Sequence, residues 1–218
     1  MTAISEKVIG RLTRYRTLLS ERKDGERSHL FSHEIAAALR LSDAQVRRDL
    51  MAIGSHGVPS HGYEIAALLA VLDQALGQTR EHGVAVVGVG GLGRGLIASL
   101  ESSRTSLRIK AAFDADPAKC NRVHAGVKCH PMEALAQVVA RENISLAVLC
   151  VPAGAAQAVA ERLAHCGVKG ILNFTSTPLR LPRTVALEEV DIHNHLAKLA
   201  YFTIHPSKER RNGRHEER

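Results

Sequence analysis

The sequence predicts a mixed α/β protein in which an N-terminal winged helix-turn-helix precedes a doubly wound parallel sheet of the Rossmann type. An apolar run starting at Val84 ends in a Gly-x-Gly-x-x-Gly turn at 88–93. Asp114 closes a second apolar run, 21 positions after Gly93. Residues 1–80 instead show the apolar spacing of helices and carry many arginines. This order of parts predicts two different binding functions in one chain.

The glycine turn has the spacing of a dinucleotide-binding βαβ unit. In such a unit the first glycine allows a tight turn and the second lets the backbone approach a pyrophosphate, while the third lets helix and strand pack closely. The acid at the end of the second strand accepts hydrogen bonds from the ribose, and its charge repels a 2′-phosphate. Asp114 therefore predicts NAD(H) rather than NADP(H) as the cofactor.

The composition is compatible with this fold and with a polyanionic partner. Hydrophobic residues make up 45% of the 218 residues and aromatic residues only 3%, so Ala, Leu, Val and Ile must build the core. Such a core suits buried parallel strands. The net charge of +7 is concentrated in residues 1–80 and in the tail at 208–218. A solvated basic surface and a nucleic-acid interface explain that charge equally well.

Targeting signals and metal-ligand spacings are not found in the sequence. No apolar run approaches the roughly 20 residues that span a bilayer, and we expect a cytoplasmic protein without membrane contact. His193 and His195 would point in different directions on a helix, so we expect no metal site. No Cys-x-x-Cys spacing occurs, and we expect reduced thiols. The four cysteines are Cys120, Cys129, Cys150 and Cys166.

The first eighty residues read as helices that surround a helix-turn-helix. Apolar spacing predicts a first helix over 5–22 and a short helix over 33–39, for which Ser32 is the expected N-cap. Ser42 and Gln45 have the spacing of a capping box, which fixes the start of the next helix.

This second short helix has the features of a recognition helix. Val46 and Leu50 should face the core. The remaining residues are expected on the outer surface, where they could meet DNA. They are Gln45, Arg47, Arg48 and Asp49.

Glycines and a proline in 54–63 predict a tight hairpin, short enough to be a wing beside the recognition helix. A helical bundle with a plain loop is the alternative. A further helix is expected over 64–77.

From Val84 onward, strands and helices alternate, as in a doubly wound sheet. We expect a helix that begins at Asp116, a strand near 127–129 and a final helix over 191–202. Ligands of such sheets bind outside the carboxyl ends of the strands. The residues expected around this crevice are Gly88, Val89, Gly90, Gly91, Leu92, Gly93, Asp114, Val151, Pro152, Asn173 and Phe174.

These motifs together resemble the bacterial family of redox-sensing repressors called Rex, over about residues 5–206. A recognition-helix sequence combined with Gly-Ile-Leu-Asn-Phe is specific to that resemblance. The stretches that carry it are 44–50, 54–57, 61–63, 88–93, 113–117, 151–152, 169–174 and 189–191.

The resemblance implies a homodimer that binds a palindromic double-stranded operator when its NADH occupancy is low and leaves it when NADH binds. It also implies that the last helix is exchanged between subunits, with Asp191 and position 192 at the interface. No catalytic residue is expected. The residues implied in DNA binding are Ser42, Gln45, Arg47, Arg48, His61 and Tyr63. The expected domains are a winged helix at 1–80, an NAD(H)-binding domain at 81–190 and a dimerisation helix with its tail at 191–218.

The sequence departs from the family pattern at three positions linked to redox sensing. Ile192 stands where a Phe is common, Ser99 where a Tyr is frequent, and Thr17 near an expected Arg, although Arg14 and Arg16 lie close by. We therefore predict a weaker or altered discrimination between NADH and NAD⁺.

Two other functions fit parts of the sequence. An NAD-dependent oxidoreductase would need a substrate domain, yet after Phe174 only His193 and His195 offer acid–base chemistry. A DNA-binding dimer whose Rossmann domain serves only dimerisation would fit the three departures.

Overall fold

The chain forms two compact units, Met1–Glu81 and His82–Arg218. A computed structural model describes residues 4–23, 25, 27–101 and 106–205. The basic tail at 208–218 lies outside these described residues. No helix in the described part of the chain has both the length and the apolar character needed to cross a membrane.

The first unit is a small helical domain with a two-stranded sheet. Strands β1 and β2 pair antiparallel, His29 opposite Glu64 and Leu30 opposite Tyr63. Helical spacing brings apolar side chains of all four helices into one core, including Leu12, Ile35 and Leu50. The elements are helices α1 (Glu6–Arg22), α2 (Ser32–Leu39), α3 (Asp43–Ala52) and α4 (Ile65–Ala75), with strands β1 (His29–Leu30) and β2 (Tyr63–Glu64).

The helix starts agree with the sequence in one case and differ in the other. The Ser42 hydroxyl accepts a hydrogen bond from the Gln45 backbone N–H at 3.2 Å, which confirms this cap of α3. For α2 the predicted Ser32 cap is wrong, because Phe31 is the N-cap and Ser32 is the first helical residue. The Glu34 carboxylate accepts the Phe31 N–H at 2.8 Å and satisfies that donor instead.

The second unit is a seven-stranded sheet in the order β5-β6-β4-β3-β7-β8-β9. All its pairs are parallel except β5 with β6. From β6 to β9 this is the Rossmann order, and it reverses between β3 and β7. Its strands are β3 (His82–Val87), β4 (Leu107–Asp114), β5 (Val123–His124), β6 (Val127–Pro131), β7 (Ile144–Leu149), β8 (Gly170–Asn173) and β9 (Ala186–Glu189). Its helices are α5 (Gly91–Glu101), α6 (Leu135–Arg141), α7 (Ala153–His165) and α8 (Ile192–Ile204), with a 3₁₀ turn at Met132–Ala134.

Alternation along the strands gives the sheet two apolar faces. Ala85 and Val87 belong to the core that includes α6 and α7. Val84 and Val86 point to the opposite face, where Ile97 of α5 packs. Both faces therefore need helical cover, as in other doubly wound sheets.

The predicted helix at Asp116 is wrong. Residues 117–121 form turns, and the chain then enters the β5–β6 hairpin. The Asp116 carboxylate accepts the Ala118 N–H at 2.9 Å, and Asn121 takes a left-handed φ of 58°. These local side-chain bonds and the reversed backbone compete with helix formation.

Candidate functional site

The glycine turn after β3 requires glycine at two of its positions. Gly88 has φ +96°, and a Cβ there would lie 2.4 Å from the Cys150 carbonyl oxygen. A Cβ on Gly93 would lie 2.0 Å from the Gly88 carbonyl oxygen, so helix α5 could not pack this closely. The Gly88 N–H also donates to the Phe113 carbonyl at 2.8 Å. Backbone contacts thus hold the ends of β3, β4 and β7 together.

The middle of the turn is open. A Cβ on Gly90 or Gly91 would meet nothing within 4 Å. Helix α5 begins at Gly91, and the first N–H groups of a helix have no partner within it. Leu92, in the same turn of helix, is 45% exposed. Free backbone donors at the positive end of a helix can bind a phosphate group.

Asp114 lies beside this turn at the end of β4 and is only 8% exposed. Its carboxylate accepts the Val89 N–H at 2.7 Å and the Asp116 N–H at 2.9 Å. The Lys119 ammonium lies 3.2 Å from the same carboxylate. Burial opposes ionisation, but these hydrogen bonds and the lysine outweigh it, so the pKa of Asp114 lies below its usual value. The acid is therefore ionised at neutral pH and can accept ribose hydroxyls.

The other side of the predicted crevice is formed by the ends of β7 and β8. The close approach of Gly88 to Cys150 brings half-buried Val151 and exposed Pro152 to the same sheet edge as the glycine turn. Phe174 follows β8, and its N–H donates to the Leu149 carbonyl at 3.0 Å.

Asn173 does not offer its side chain to a ligand. It is fully buried, and its amide oxygen accepts hydrogen bonds from Thr175, one of them from the hydroxyl at 2.7 Å. Its amide nitrogen donates to the Thr177 carbonyl at 3.0 Å. The expected ligand contact through this side chain is therefore replaced by a role in shaping the loop after β8.

In the first unit, the expected outer position of Asp49 is wrong. Asp49 is 3% exposed and faces helix α1. Its carboxylate accepts two hydrogen bonds from Arg11, at 2.5 and 2.8 Å, and one from the Tyr15 hydroxyl at 2.8 Å. The Gln45 amide nitrogen donates to it at 2.7 Å. We call these four residues the Asp49 cluster.

Electrostatics fix the charge state of the Asp49 cluster. Burial disfavours the carboxylate, but hydrogen bonds from Arg11, Tyr15 and Gln45 prevail and hold the pKa of Asp49 below its usual value. Burial and then Asp49 raise the pKa of the Tyr15 hydroxyl, which stays protonated. An ionised acid therefore joins α3 to α1 in a desolvated site, which orients the recognition helix.

The two arginines of α3 are exposed but differ in their partners. Arg47 forms an ion pair with Asp43, four residues earlier, and its guanidinium lies 3.4 Å from the Ser32 hydroxyl. The Ser32 contact first, and then Arg47, lower the pKa of Asp43. Arg48 makes no side-chain hydrogen bond or ion pair with the rest of the described chain, so its guanidinium is free to contact phosphate.

The hairpin after α3 has the form of a wing. Val58 pairs with Gly62, and a groove of about 470 Å³ lies between the hairpin and helices α2 and α3. His61 is exposed. Tyr63, expected to contact DNA, is only 7% exposed, and a Cβ on Gly57 would lie 2.9 Å from its ring. It anchors the wing instead of facing DNA.

The residues expected in redox sensing are exposed or engaged elsewhere. Thr17, Ser99 and Ile192 are all exposed. Arg14 and Arg16, which lie near Thr17, donate to the Leu39 carbonyl and to Asp73 within the first unit. Neither arginine therefore takes the place of the expected one without giving up such a contact.

Two functional residues were missed in the sequence although a signal for each was present. Asp49 follows Val46 by three and precedes Ile53 by four, which places it on the apolar face of α3. Lys119 stands five positions after Asp114, within reach once the intervening segment turns.

Comparison with known proteins supports both units. Residues 3–50 match the family described as "Putative DNA-binding protein N-terminus", and residues 79–177 match the CoA binding domain. A redox-sensing transcriptional repressor Rex of Limosilactobacillus reuteri is 37% identical over 88% of this chain and 90% of its own length. The Rex of Lactiplantibacillus plantarum is 34% identical over 94% of this chain and 91% of its own.

Solved structures agree with the sequence relatives. The crystal structure of RSP, a Rex-family repressor, is 30% identical with a TM-score of 0.80 and covers 92% of this chain and 94% of its own. RSP in complex with β-NAD⁺ and operator DNA gives a TM-score of 0.84 over 92% of this chain and 93% of its own. These relatives are named as repressors and not as enzymes, which favours the predicted class over the oxidoreductase alternative. The chain belongs to the Rex family of redox-sensing transcriptional repressors.

Proposed function

We propose that this chain is a dimeric repressor that binds operator DNA through its first unit and NAD(H) through its second. NADH binding would release the operator. One observation carries the proposal: the same chain holds a cap-started basic helix anchored by the Asp49 cluster and an open glycine turn beside ionised Asp114. DNA and NAD(H) share the bacterial cytoplasm, which we propose as the place of action.

The glycine turn fits a dinucleotide. Gly90 and Gly91 leave room for a pyrophosphate at the start of α5, and Asp114 would accept hydrogen bonds from the adenine-side ribose. Val151 and Pro152 would line the other half of the crevice, where the strand order reverses. The bound nicotinamide supplies the redox state that is sensed. The protein supplies two conformations with different affinities for its two forms.

The recognition helix fits the major groove of DNA. Arg48 and Arg47 would contact phosphates and base edges, Arg47 after exchanging Asp43 for DNA. The amide nitrogen of Gln45 is bound to Asp49, which leaves its carbonyl oxygen to accept from a base amino group. Ser42 at the cap and His61 of the wing lie on exposed surface that could reach the backbone.

Helix α8 supports the proposal of a dimer that exchanges its last helix. The Asp191 carboxylate caps α8 by accepting the Asn194 N–H at 2.9 Å, yet no residue of this helix is buried. Its exposed apolar side chains are Ile192, Leu196, Leu199, Tyr201 and Ile204.

An apolar groove of about 310 Å³ opens on the sheet, lined by residues that include Val84, Leu146 and Leu172. An unburied apolar helix and an uncovered apolar sheet face together favour a second copy as the partner. Sedimentation of the full chain is expected to show a dimer.

A gel-shift assay on DNA upstream of the protein's own gene tests the repressor proposal. Binding should fall steeply with salt, because phosphate contacts release counterions. Adding NADH should release the DNA, while NAD⁺ should not. Replacing Arg47 and Arg48 with Ala should abolish the shift and leave nucleotide binding unchanged. Normal retardation of DNA by the double variant would show that the recognition helix is misassigned.

Calorimetric titration tests the altered switch that we propose for this chain. Arg14 and Arg16 are engaged within the first unit, and position 192 lacks an aromatic ring. We therefore expect NADH to bind with only modest preference over NAD⁺. A preference of about a hundredfold or more, about 2.7 kcal/mol, would contradict this expectation. No preference at all would favour the second candidate, a DNA-binding dimer that has lost nicotinamide discrimination.

A further inference from the structure

Two of the four cysteines flank one hairpin next to Asp114. Cys120 lies in the turn after β4, and Cys129 lies in β6 opposite Ala112 of β4. The β5–β6 ladder continues past its last strand pair, since the Asn121 N–H donates to the Cys129 carbonyl at 2.8 Å. The Cys129 N–H donates in turn to the Arg122 carbonyl, also at 2.8 Å. The backbone therefore holds the two cysteines together although eight residues separate them.

The two thiols contact each other and the end of β4. The Cys120 and Cys129 side chains share a hydrogen bond. The Cys120 sulfur lies 3.4 Å from the Asp114 carbonyl oxygen and 3.3 Å from that of Asp116. Cys120 is partly exposed and Cys129 is buried. An oxidant that enters from solvent therefore meets Cys120 first.

The surroundings also give the two thiols different chemistry. Burial first, and then the neighbouring Cys120 and Asp114, raise the pKa of the Cys129 thiol to about 11. Cys129 is thus a protonated thiol beside the more accessible sulfur. This arrangement suits a resolving thiol, which attacks a partner after that partner has been oxidised.

We propose that Cys120 and Cys129 form a dithiol that a hydroperoxide oxidises to a disulfide, and that the disulfide weakens NAD(H) binding at Asp114. Cys120 attacks the peroxide, which cleaves the O–O bond and gives a sulfenic acid and one water. The Cys129 sulfur then displaces the sulfenic oxygen, which leaves as a second water with the thiol proton. Two thiols lose two electrons, and one hydrogen peroxide gains them.

The disulfide would reach the nucleotide site through the turn that follows β4. A sulfur–sulfur bond of about 2.05 Å is much shorter than a thiol–thiol contact, so Cys120 must move toward Cys129. It then gives up its hydrogen bonds to the carbonyls of Asp114 and Asp116. The adjacent Lys119 and the Asp116 N–H, both bound to the Asp114 carboxylate, move with that turn.

Mass spectrometry of the full-length protein tests the bond itself. Trypsin cleaves after lysine and arginine, so Cys120 and Cys129 fall in separate peptides, 120–122 and 129–141. After hydrogen peroxide treatment and alkylation, we expect these peptides to be linked, and reductant should separate them. Recovery of both as alkylated single peptides, or linkage to Cys150 or Cys166, would overturn the proposal.

Fluorescence titration with NADH tests the consequence, which rests on the proposed function. We expect oxidation to weaken NADH binding about fivefold, the effect of one lost hydrogen bond. Cys129→Ser and Cys120→Ser should remove the response to peroxide, while Cys166→Ser, a matched control, should keep it. Unchanged NADH affinity in the linked protein would overturn the regulatory step. If reduced protein does not bind NADH, the proposed function fails, whereas the peptide linkage still decides the disulfide.

Discussion

The two units of this chain hold their functional residues in place by different means. In the first unit, side chains fix the recognition helix, because the Asp49 carboxylate joins α3 to Arg11 and Tyr15 of α1. In the second unit, backbone fixes the glycine turn, because Gly88 and Gly93 let main-chain atoms approach where any Cβ would clash. Even Asp114 is held by two backbone N–H groups.

This difference determines which substitutions each unit tolerates. A buried charge is sensitive to losing its partners, since the remaining groups stay desolvated without compensation. A close backbone contact is sensitive to added atoms, since neither strand nor helix can move aside without cost. We therefore expect truncation to damage the first unit most and enlargement to damage the second.

The largest effect is expected for Asp49→Ala. Removing the carboxylate leaves Arg11 and Tyr15 without their partner, which should lower the free energy of unfolding of the first unit by about 3–5 kcal/mol. Asp73→Ala is a matched control, because Asp73 pairs with Arg16 of α1 at the same 2.5 Å distance but is 32% exposed. It should cost less than about 1 kcal/mol. Denaturant unfolding measures both, and equal losses would contradict the role of burial.

A smaller effect is expected for Gly93→Ala in the second unit. The added Cβ meets the Gly88 carbonyl, so α5 must shift at a cost of about 1–3 kcal/mol. Gly90→Ala serves as the control, since a Cβ there meets nothing within 4 Å. It should leave unfolding almost unchanged but weaken NADH binding, because the methyl group would enter the space for the pyrophosphate. A Gly90→Ala protein as unstable as Gly93→Ala would overturn this comparison.

The smallest effect is expected from acid, at Asp114. Its pKa is lowered in the folded state, so its contribution to stability is complete above the unfolded pKa of about 3.9. The contribution disappears as the pH falls through the folded pKa. Between about pH 5 and pH 2, unfolding free energy should therefore fall more in the natural protein than in Asp114→Asn. Thermal unfolding across that range gives both slopes, and parallel slopes would exclude the contribution of Asp114.

Local patterns in the sequence predicted much of the nucleotide site. The glycines at 88–93 and Asp114 depend on spacing along the chain, and the structure brings them to one sheet edge. Asn173 was predicted at the same edge, but its side chain turned inward to bond Thr175 and Thr177. Strand ends can be read from sequence, whereas the direction of a polar side chain depends on the donors that surround it.

The recognition helix shows the same division between local and distant information. Its Ser42 cap is a bond within four residues and was predicted. The burial of Asp49 requires Arg11 and Tyr15, which lie more than thirty positions earlier and meet it only when α1 packs on α3.

The sequence alone therefore determined the order of elements, the glycine turn and the family, because each depends on periodicity or spacing within a few dozen residues. Only the tertiary structure decided which charges are buried and which thiols meet. Those outcomes depend on contacts between distant segments, such as the pairing of Cys120 with Cys129 across a hairpin that replaced the expected helix.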